Sequence, residues 1–375
     1  MNLSTSVYSC LIATHFLNHI LVANCFLATS HAPIHLEGDF SFSDTRTTTN
    51  GIHQFTSGFQ LFSSLDNIAG NDEYKMRFGG VGRLFSDNET NNENRVLKRL
   101  QSSTVAVIGI GGVGSWTAEA LCRSGVGNII LMDLDDICIS NSNRQLHATK
   151  ENIGKMKVEV MKERLLSINP ECNITSIMDF VSVDNAYGLV KRMMPELSIL
   201  VDAIDGKKEK TALISACSRL KVPIVTVGGA AGRTDPTKIE CDDITKVQED
   251  RLLFWCRKDL RQRYGFPKGP ENFNKKKYKP RSWRIWAVYS TEIQKSAPAS
   301  EQKQADRSSS LRLCDGSLGT SCFVTGSYGF VAASKVVSMI AANKLIYPRY
   351  HGTERMSRGR EKKVQAENVD LNLLL

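Results

Sequence analysis

The chain has 375 residues, a length that accommodates one large α/β domain with insertions. Hydrophobic residues make up 41% and charged residues 23%, ordinary values for a globular protein that exclude a wholly disordered one. The net charge of +9 is spread unevenly along the chain. Ten cysteines are present without a single C-x-x-C pair, so the sequence encodes no structural zinc site of the paired type.

The first 70 residues are expected to form an appended, largely disordered leader. The apolar stretch Cys10 to Ala28 precedes every acid, lysine and arginine, and its histidines and asparagines make it a poor membrane span. Small residues around Ala28 are typical of a cleaved signal peptide, whereas the first arginine comes only at Arg46, late for a mitochondrial presequence. We expect targeting to an organelle, mitochondrial or plastid-like, or weak association with its membrane; a cytoplasmic location is the alternative.

A glycine-rich turn follows the first predicted strand, Val105 to Ile108, and opens a helix from Val113 to about Ser124. Glycines at these positions allow a tight turn, a close approach of backbone N–H groups to phosphate, and packing of helix on strand. A second strand, Asn128 to Met132, ends at Asp133, whose carboxylate can accept hydrogen bonds from ribose hydroxyls. This order predicts a nucleotide site rather than a turn without a ligand, and its glycines are Gly109, Gly111, Gly112 and Gly114.

The residues beyond Asp133 favour ATP over a nicotinamide dinucleotide. A site that cleaves ATP must neutralise the triphosphate and the transition state, and a nicotinamide site has no such general need. A lysine, Lys157, follows in the turn into the next helix, and a third strand, Ser198 to Val201, ends in D-A-I-D at the edge where ligands bind. The intervening loop carries the polar side chains Asp135, Asn141, Arg144 and Gln145.

The motifs GxGGxG, D-x-D, N-x-x-R-Q, G-x-x-K and D-x-x-D occur in this order, and the chain resembles the ubiquitin-activating-like adenylyltransferases of the ThiF type. The resemblance implies ATP and magnesium as cofactors. Asp133 would hold the ribose and Asp135 would lie beside it. Arg144 and Lys157 would bind the phosphates, with Asn141 supporting that contact. Asp205 would position the magnesium ion or the activated phosphate. The catalytic residues would therefore be Arg144, Lys157 and Asp205.

The resemblance also implies an α/β fold. We expect a Rossmann-like, doubly wound, mostly parallel sheet with a C-terminal subdomain and a basic insertion. Strands are predicted near residues 105–108, 128–132, 173–177, 198–201 and 222–227, alternating with helices. The adenylyltransferase domain would span residues 71–345, with the insertion at about 250–310 and a charged tail at 346–375. A closing amphipathic helix is expected from Ser327 to Asn343.

An arginine from an early segment reaches the partner subunit's ATP site in this family. The segment Y-K-M-R-F-G-G-V-G-R offers Arg83 as the first choice and Arg77 as the second. The resemblance therefore implies a homodimer in which each site is completed by its partner.

Later motifs, among them R-F-G-G, N-S-N-R-Q-L-H-A, D-P-T-K-I and L-C-D-G-S-L-G, look like the branch of the family that dehydrates a threonylcarbamoyl group on tRNA. That branch would adenylate the group's carboxylate and then close a ring. Cys314 is the candidate nucleophile for a thioester, and Cys322 is a weaker one. A tethered nucleophile needs no carrier thiol, so direct cyclisation is the other route. His147 is expected to be packed or solvent-facing rather than a base.

The charge excess is concentrated between Arg251 and Arg284, where twelve lysines and arginines stand against two acids. Eight aromatic residues are interleaved with them up to residue 286. Cations for phosphates together with aromatic faces for unstacked bases are typical of surfaces that bind RNA loops. Segment 251–286 is therefore predicted to contact tRNA, and a solvated loop is the alternative.

Three other functions stay open. The chain could activate a ubiquitin-like or sulfur-carrier protein, with a sulfurtransferase-like partner, although the basic aromatic segment and the lack of C-x-x-C pairs disfavour this. An inactive Rossmann scaffold that binds tRNA is disfavoured by the intact Arg144, Lys157 and Asp205. A nicotinamide oxidoreductase is the least favoured.

Overall fold

The computed structural model describes residues 72–87, 92–267, 281–295 and 318–349. The expected leader, the central part of the basic insertion and the expected tail lie outside these residues. The helices are α1 (72–84), α2 (Glu93–Gln101), α3 (Gly114–Arg123), α4 (Lys157–Ile168), α5 (Ala186–Met193), α6 (Lys207–Leu220), α7 (Arg251–Arg263) and α8 (Cys322–Ala341). The strands are β1 (Thr104–Ile108), β2 (Asn128–Met132), β3 (Asn173–Ile177), β4 (Ile199–Asp202), β5 (Ile224–Val227), β6 (Ile239–Asp243) and β7 (Trp286–Ser290).

The seven strands form one sheet in the order β3-β2-β1-β4-β5-β7-β6. All neighbouring pairs are parallel except β6 and β7, which are antiparallel. The five predicted strands are confirmed as β1 to β5, and the α/β, Rossmann-like class is confirmed with them. The C-terminal part of the chain contributes β6, β7 and α8, and its two strands extend the same sheet.

Helices cover both faces of the sheet. Alternate side chains of a strand point to opposite faces, so Val105 and Val107 pack against α2, α3, α4 and α8, while Ala106 and Ile108 pack against α5, α6 and α7. Strand β1 pairs with β2 on one side and with β4 on the other. The chain therefore reverses direction across the sheet at β1, and ligands bind at the carboxyl ends of the strands beside such a point.

Helix α8 begins at Cys322, five residues before the predicted start at Ser327, and ends at Ala341. It packs against α3, where a Cβ on Gly329 would lie 2.8 Å from the Cβ of Trp116. Within the described residues it is the one helix long and apolar enough to cross a membrane, but 61% of that apolar window is buried in the protein. The apolar face of α8 therefore serves the core.

Candidate nucleotide-binding site

The glycine loop, residues 109–113, leads from β1 into α3. Gly109 has a φ of +89°, which favours glycine, and its N–H donates to the carbonyl of Met132 at 2.8 Å. A Cβ on Gly114 would lie 1.8 Å from the carbonyl oxygen of Gly109, so only glycine permits this approach of helix to strand. No side chain of the described residues caps the first turn of α3. The Ser115 N–H donates to the Gly111 carbonyl at 3.1 Å, and the other N–H groups of the first turn, with its partial positive charge, are available to an anion.

Asp133 ties the end of β2 to the glycine loop. Its Oδ2 accepts a hydrogen bond from the Ile110 N–H at 2.6 Å, and its Oδ1 accepts one from the Asp135 N–H at 2.9 Å. Burial raises the pKa of this carboxyl group, and the nearby Lys157 ammonium opposes the rise. Each carboxylate oxygen keeps a further lone pair, so Asp133 can still accept from the hydroxyls of a ribose laid across the loop.

Lys157, the first residue of α4, has its Nζ 2.7 Å from Oδ2 of Asp135 and 4.0 Å from Oδ1 of Asp133. The lysine side chain is 7% exposed, whereas that of Asp135 is 70% exposed. The Lys157 N–H also donates to the Asp135 carbonyl at 3.1 Å, which holds α4 against the loop. The exposed carboxylate can turn toward solvent, leaving the buried ammonium to a phosphate.

Arg144 lies over the glycine loop. A Cβ on Gly112 would come within 3.4 Å of Cγ of Arg144. The Arg144 carbonyl accepts hydrogen bonds from Nε1 of Trp116 at 3.0 Å and from Oγ1 of Thr325 at 3.3 Å, so α3 and α8 both hold this residue. Asn141 is buried, and its Oδ1 accepts from the Cys138 N–H at 3.0 Å. Asn141 therefore shapes the loop that carries Arg144.

The two acids of the D-A-I-D sequence differ in exposure: Asp202 is buried and Asp205 is exposed. Asp202 and Lys210 are fully buried and form an ion pair at 2.8 Å, and Oγ1 of Thr226 donates to the same Asp202 oxygen at 2.6 Å. The other Asp202 oxygen accepts from the Ile204 N–H at 3.2 Å. Asp205 is exposed at the carboxyl end of β4, and the residue that caps α6 is Gly206. The buried ion pair thus holds Asp205 at the carboxyl edge of the sheet, where ligands bind in this architecture; we call this the ligand edge.

The two predicted trans-acting arginines lie on α1. Arg77 is bonded to Glu73 on the same helix and donates to the Ile168 carbonyl at 3.2 Å. Arg83 is 68% exposed and lies 3.7 Å from Glu93 of α2. Arg83 therefore has the freer guanidinium, and its reach into a partner's site stays a prediction.

Two buried polar residues, His147 and Gln145, lie beside Arg144 and were given no binding or catalytic role from the sequence. The His147 side chain is buried, as one of the two expectations held, and neither ring nitrogen has a hydrogen-bond partner among the described residues. Burial, with the charges of Lys157 and Arg164, lowers the His147 pKa to about 4, so the ring is neutral. Gln145 is buried near Gly111, its Oε1 also without a partner in that part of the chain. Gln145 directly follows Arg144 in the N-x-x-R-Q motif, and this motif was the sequence feature that could have pointed to it.

The basic aromatic segment is divided by the fold. Phe266 and Trp283 are buried and lie 4.7 Å apart, and Trp286 belongs to β7, so these three rings serve the core rather than an open RNA surface. Phe254 and Trp255 of α7 are exposed. Residues 268–280 lie outside the described residues.

The described cysteines show one exposed thiol, Cys322 at the start of α8. Cys122, Cys172, Cys217 and Cys256 are buried, as expected of core residues. Cys314 lies outside the described residues, so its role as a nucleophile stays a prediction.

Comparison with known proteins bears on this site. The family described as the ThiF family matches residues 85–370. The chain is 40% identical to the tRNA threonylcarbamoyladenosine dehydratase of Haemophilus influenzae over 273 residues, which cover 73% of this chain and 96% of the relative. The corresponding Escherichia coli enzyme is 38% identical over 275 residues, 72% of this chain and 96% of the relative.

Solved structures agree with these matches. The crystal structure of the E. coli enzyme, TcdA, in complex with ATP superposes with a TM-score of 0.60 at 37% identity, covering 72% of this chain and 96% of that one. The same enzyme in complex with AMP gives a TM-score of 0.59 at 38% identity, with the same coverage.

Proposed function

This chain belongs to the ThiF family, and we propose that it is an ATP-dependent dehydratase of threonylcarbamoyladenosine in tRNA. The observation that carries the proposal is the grouping of Asp133, Arg144 and Lys157 around an uncapped helix end at the switch point of the sheet. Similarity to dehydratases along 96% of their length supports the same activity and substrate class.

The reaction adenylates a carboxylate and then closes a ring. The carboxylate of the threonylcarbamoyl group attacks the α-phosphorus of ATP; the new O–P bond forms as the bond to the β-phosphate oxygen breaks, and pyrophosphate leaves. The neighbouring ureido nitrogen then attacks the activated carbonyl, loses its proton and expels AMP. The net change is loss of one water from the modified nucleoside, driven by cleavage of ATP.

Each side chain of the site has a task in this sequence. Asp133 holds the ribose, and the glycine loop with the amino end of α3 holds phosphate oxygens through backbone N–H groups. Arg144 and Lys157 offset the charge that develops on the α-phosphate and on the leaving pyrophosphate. Lys157 does so after exchanging its contact with the exposed Asp135 for a phosphate oxygen. Because two polyanions meet here, this neutralisation reduces the repulsion between them.

The exposed Asp205 fits a magnesium ion that arrives with ATP. Within the described ranges no group of three or more His, Cys, Asp or Glu side chains converges as a metal site. One carboxylate together with substrate phosphates is the usual way in which proteins bind magnesium. When bound, the ion would neutralise phosphate charge and favour departure of pyrophosphate.

We also propose that the protein is a homodimer in which Arg83 extends toward the partner's ATP site. Its exposed guanidinium supports this choice over Arg77, which is tied to its own subunit. The N-terminal leader would direct the protein to an organelle or attach it weakly to that organelle's membrane. A sulfurtransferase-like protein is a further proposed partner.

Pyrophosphate release tests the function. Purified protein is supplied with ATP and, in parallel, native tRNA, tRNA lacking the threonylcarbamoyl group, and a panel of ubiquitin-like and sulfur-carrier proteins. Release is expected only with the modified tRNA, together with the cyclised nucleoside. Release with carrier proteins alone would contradict the proposal and identify the chain as a carrier-activating adenylyltransferase.

Asp205→Ala tests the predicted ligand edge. We expect cyclisation to fall by about 100-fold or more while tRNA binding is retained, because the variant loses only a group that organises charge on the reacting phosphates. Asp184→Ala removes another exposed aspartate and should retain activity. Retained turnover in Asp205→Ala would remove Asp205 from the mechanism.

A further inference from the structure

Helix α7 presents an exposed aromatic pair. Phe254 is 53% and Trp255 41% exposed, and their rings lie 5.4 Å apart in an edge-to-face arrangement of 79°. The opposite face of the helix is buried through Leu253, Cys256 and Leu260. The core therefore orients α7, and the two aromatic side chains are left on its outer face.

This pair lies next to the ligand edge of the sheet. Lys207 is the first residue of α6, two positions after Asp205, and its Nζ is 5.8 Å from the centroid of the Trp255 ring. The same ammonium is 3.2 Å from the buried Asp259 of α7, so an ion pair holds the two helices together at this point. Trp255 is thereby anchored beside the carboxyl end of β4.

The surroundings of Trp255 are strongly basic. Helix α7 carries five basic residues against the single acid Asp259, and three of them, Arg251, Lys258 and Arg263, are exposed. The other two are engaged within the protein: Arg257 donates to the Ile244 carbonyl and Arg261 lies over the buried Trp283 ring. That acid is already paired with Lys207. Nζ of Lys258 lies 4.6 Å from the centroid of the Trp255 ring. The chemistry of this surface is therefore a large aromatic face with exposed cations and a charge suited to phosphates.

We propose that Trp255 is a stacking platform for one unpaired base of the tRNA substrate, with Lys258 on the adjacent phosphate. The inference rests on the proposed function and adds to it a residue that binds the RNA beside the reacting nucleoside. Stacking of a base on an aromatic side chain is worth about 5- to 150-fold in affinity. An exposed cation–π contact is worth only about 2- to 5-fold, so an incoming base displaces a lysine from the ring.

The fold supplies a matched comparison at the other end of α6. Arg219 lies 4.5 Å over the ring of Tyr187, which is 38% exposed. Arg219 lies twelve positions after Lys207 on α6, a rise of about 18 Å along the helix. This second aromatic–cation pair is therefore far from the ligand edge and serves as the control.

Binding of the full-length protein to a fluorescein-labelled stem–loop RNA that carries threonylcarbamoyladenosine in its loop tests the platform by fluorescence anisotropy over a range of salt concentrations, without ATP. The variants are Trp255→Ala, Trp255→Phe, Lys258→Ala and Tyr187→Ala. A second set of RNAs carries an abasic site at one loop position at a time. Circular dichroism and ATP binding report whether each variant is folded with an intact nucleotide site.

Trp255→Ala is expected to weaken binding by about 5- to 150-fold with an unchanged salt slope, because stacking carries no charge. Trp255→Phe should stay within about 3-fold of the wild type and Tyr187→Ala should equal it. Lys258→Ala should reduce the salt slope by about 0.7. At one loop position the abasic RNA should bind the wild type and Trp255→Ala equally.

Two results would overturn the platform while leaving the dehydratase activity intact. One is Trp255→Ala binding within about 2-fold of a wild-type protein that cyclises the RNA; the other is a Trp255→Ala effect that no abasic position removes. Loss of stimulation by a carrier protein in Trp255→Ala would assign the surface to a protein partner instead. Failure of the proposed dehydratase function would give a different result: the wild type would release pyrophosphate only with carrier proteins.

Discussion

Replacing Lys210 with methionine tests the buried ion pair that supports the ligand edge. Lys210 and Asp202 are both fully buried, with Nζ 2.8 Å from Oδ2. Removing one member of such a pair leaves a buried charge without its partner, which destabilises a protein by about 3–5 kcal/mol. Native stabilities are about 5–15 kcal/mol, so the change removes a large share of the whole.

Urea unfolding followed by tryptophan fluorescence measures this loss. We expect the midpoint of Lys210→Met to fall at an unchanged m-value, which reports stability rather than a change in exposed surface. The double variant Asp202→Asn/Lys210→Met should recover part of the loss, because its buried carboxylate has been removed along with the ammonium. The remaining hydroxyl of Thr226 can still donate to the new amide oxygen.

The same pair has a functional consequence. Oδ1 of Asp202 accepts from the Ile204 N–H, one residue before Asp205, so the pair positions the loop that carries the exposed carboxylate. Below its unfolding transition, Lys210→Met should release pyrophosphate more slowly than the wild type. A loss of stability under about 1 kcal/mol, or a double variant less stable than the single one, would refute the reasoning.

Two further changes test other parts of the site. The ring of His147 is neutral in the folded protein, with a pKa lowered to about 4. The unfolded chain protonates it below about 6.5, so stability is lost as the pH falls from there toward 4, by up to about 2 kcal/mol at pH 5. Urea midpoints at pH 7 and pH 5 should differ less in His147→Gln, and an unchanged difference would exclude this source. Gly114→Ala should abolish ATP binding by calorimetry, since its Cβ meets a carbonyl oxygen at 1.8 Å. Gly154→Ala, strained by its φ of +85° but unobstructed, should still bind ATP; equal behaviour of the two would contradict the steric argument.

Much of the sheet was predictable because buried parallel strands are continuous apolar runs. The buried strands β1, β2, β4 and β5 each lie within about two residues of their predicted limits. Strand β6 was not predicted, since its sequence I-E-C-D-D carries three acids at the edge of the sheet. Strand β7 was hidden inside a segment that local composition assigns to a basic surface.

The sequence by itself determined the candidate nucleotide site, because the glycine loop, Asp133, Arg144 and Lys157 lie at element boundaries whose spacing brings them to one edge of the sheet. Only the tertiary structure decided how neighbouring residues of one motif are used. Asp202 is buried against Lys210 while Asp205 faces solvent, and Trp283 is buried while Trp255 is exposed. Burial depends on which helix packs over which strand, and residues far apart in the chain settle that packing.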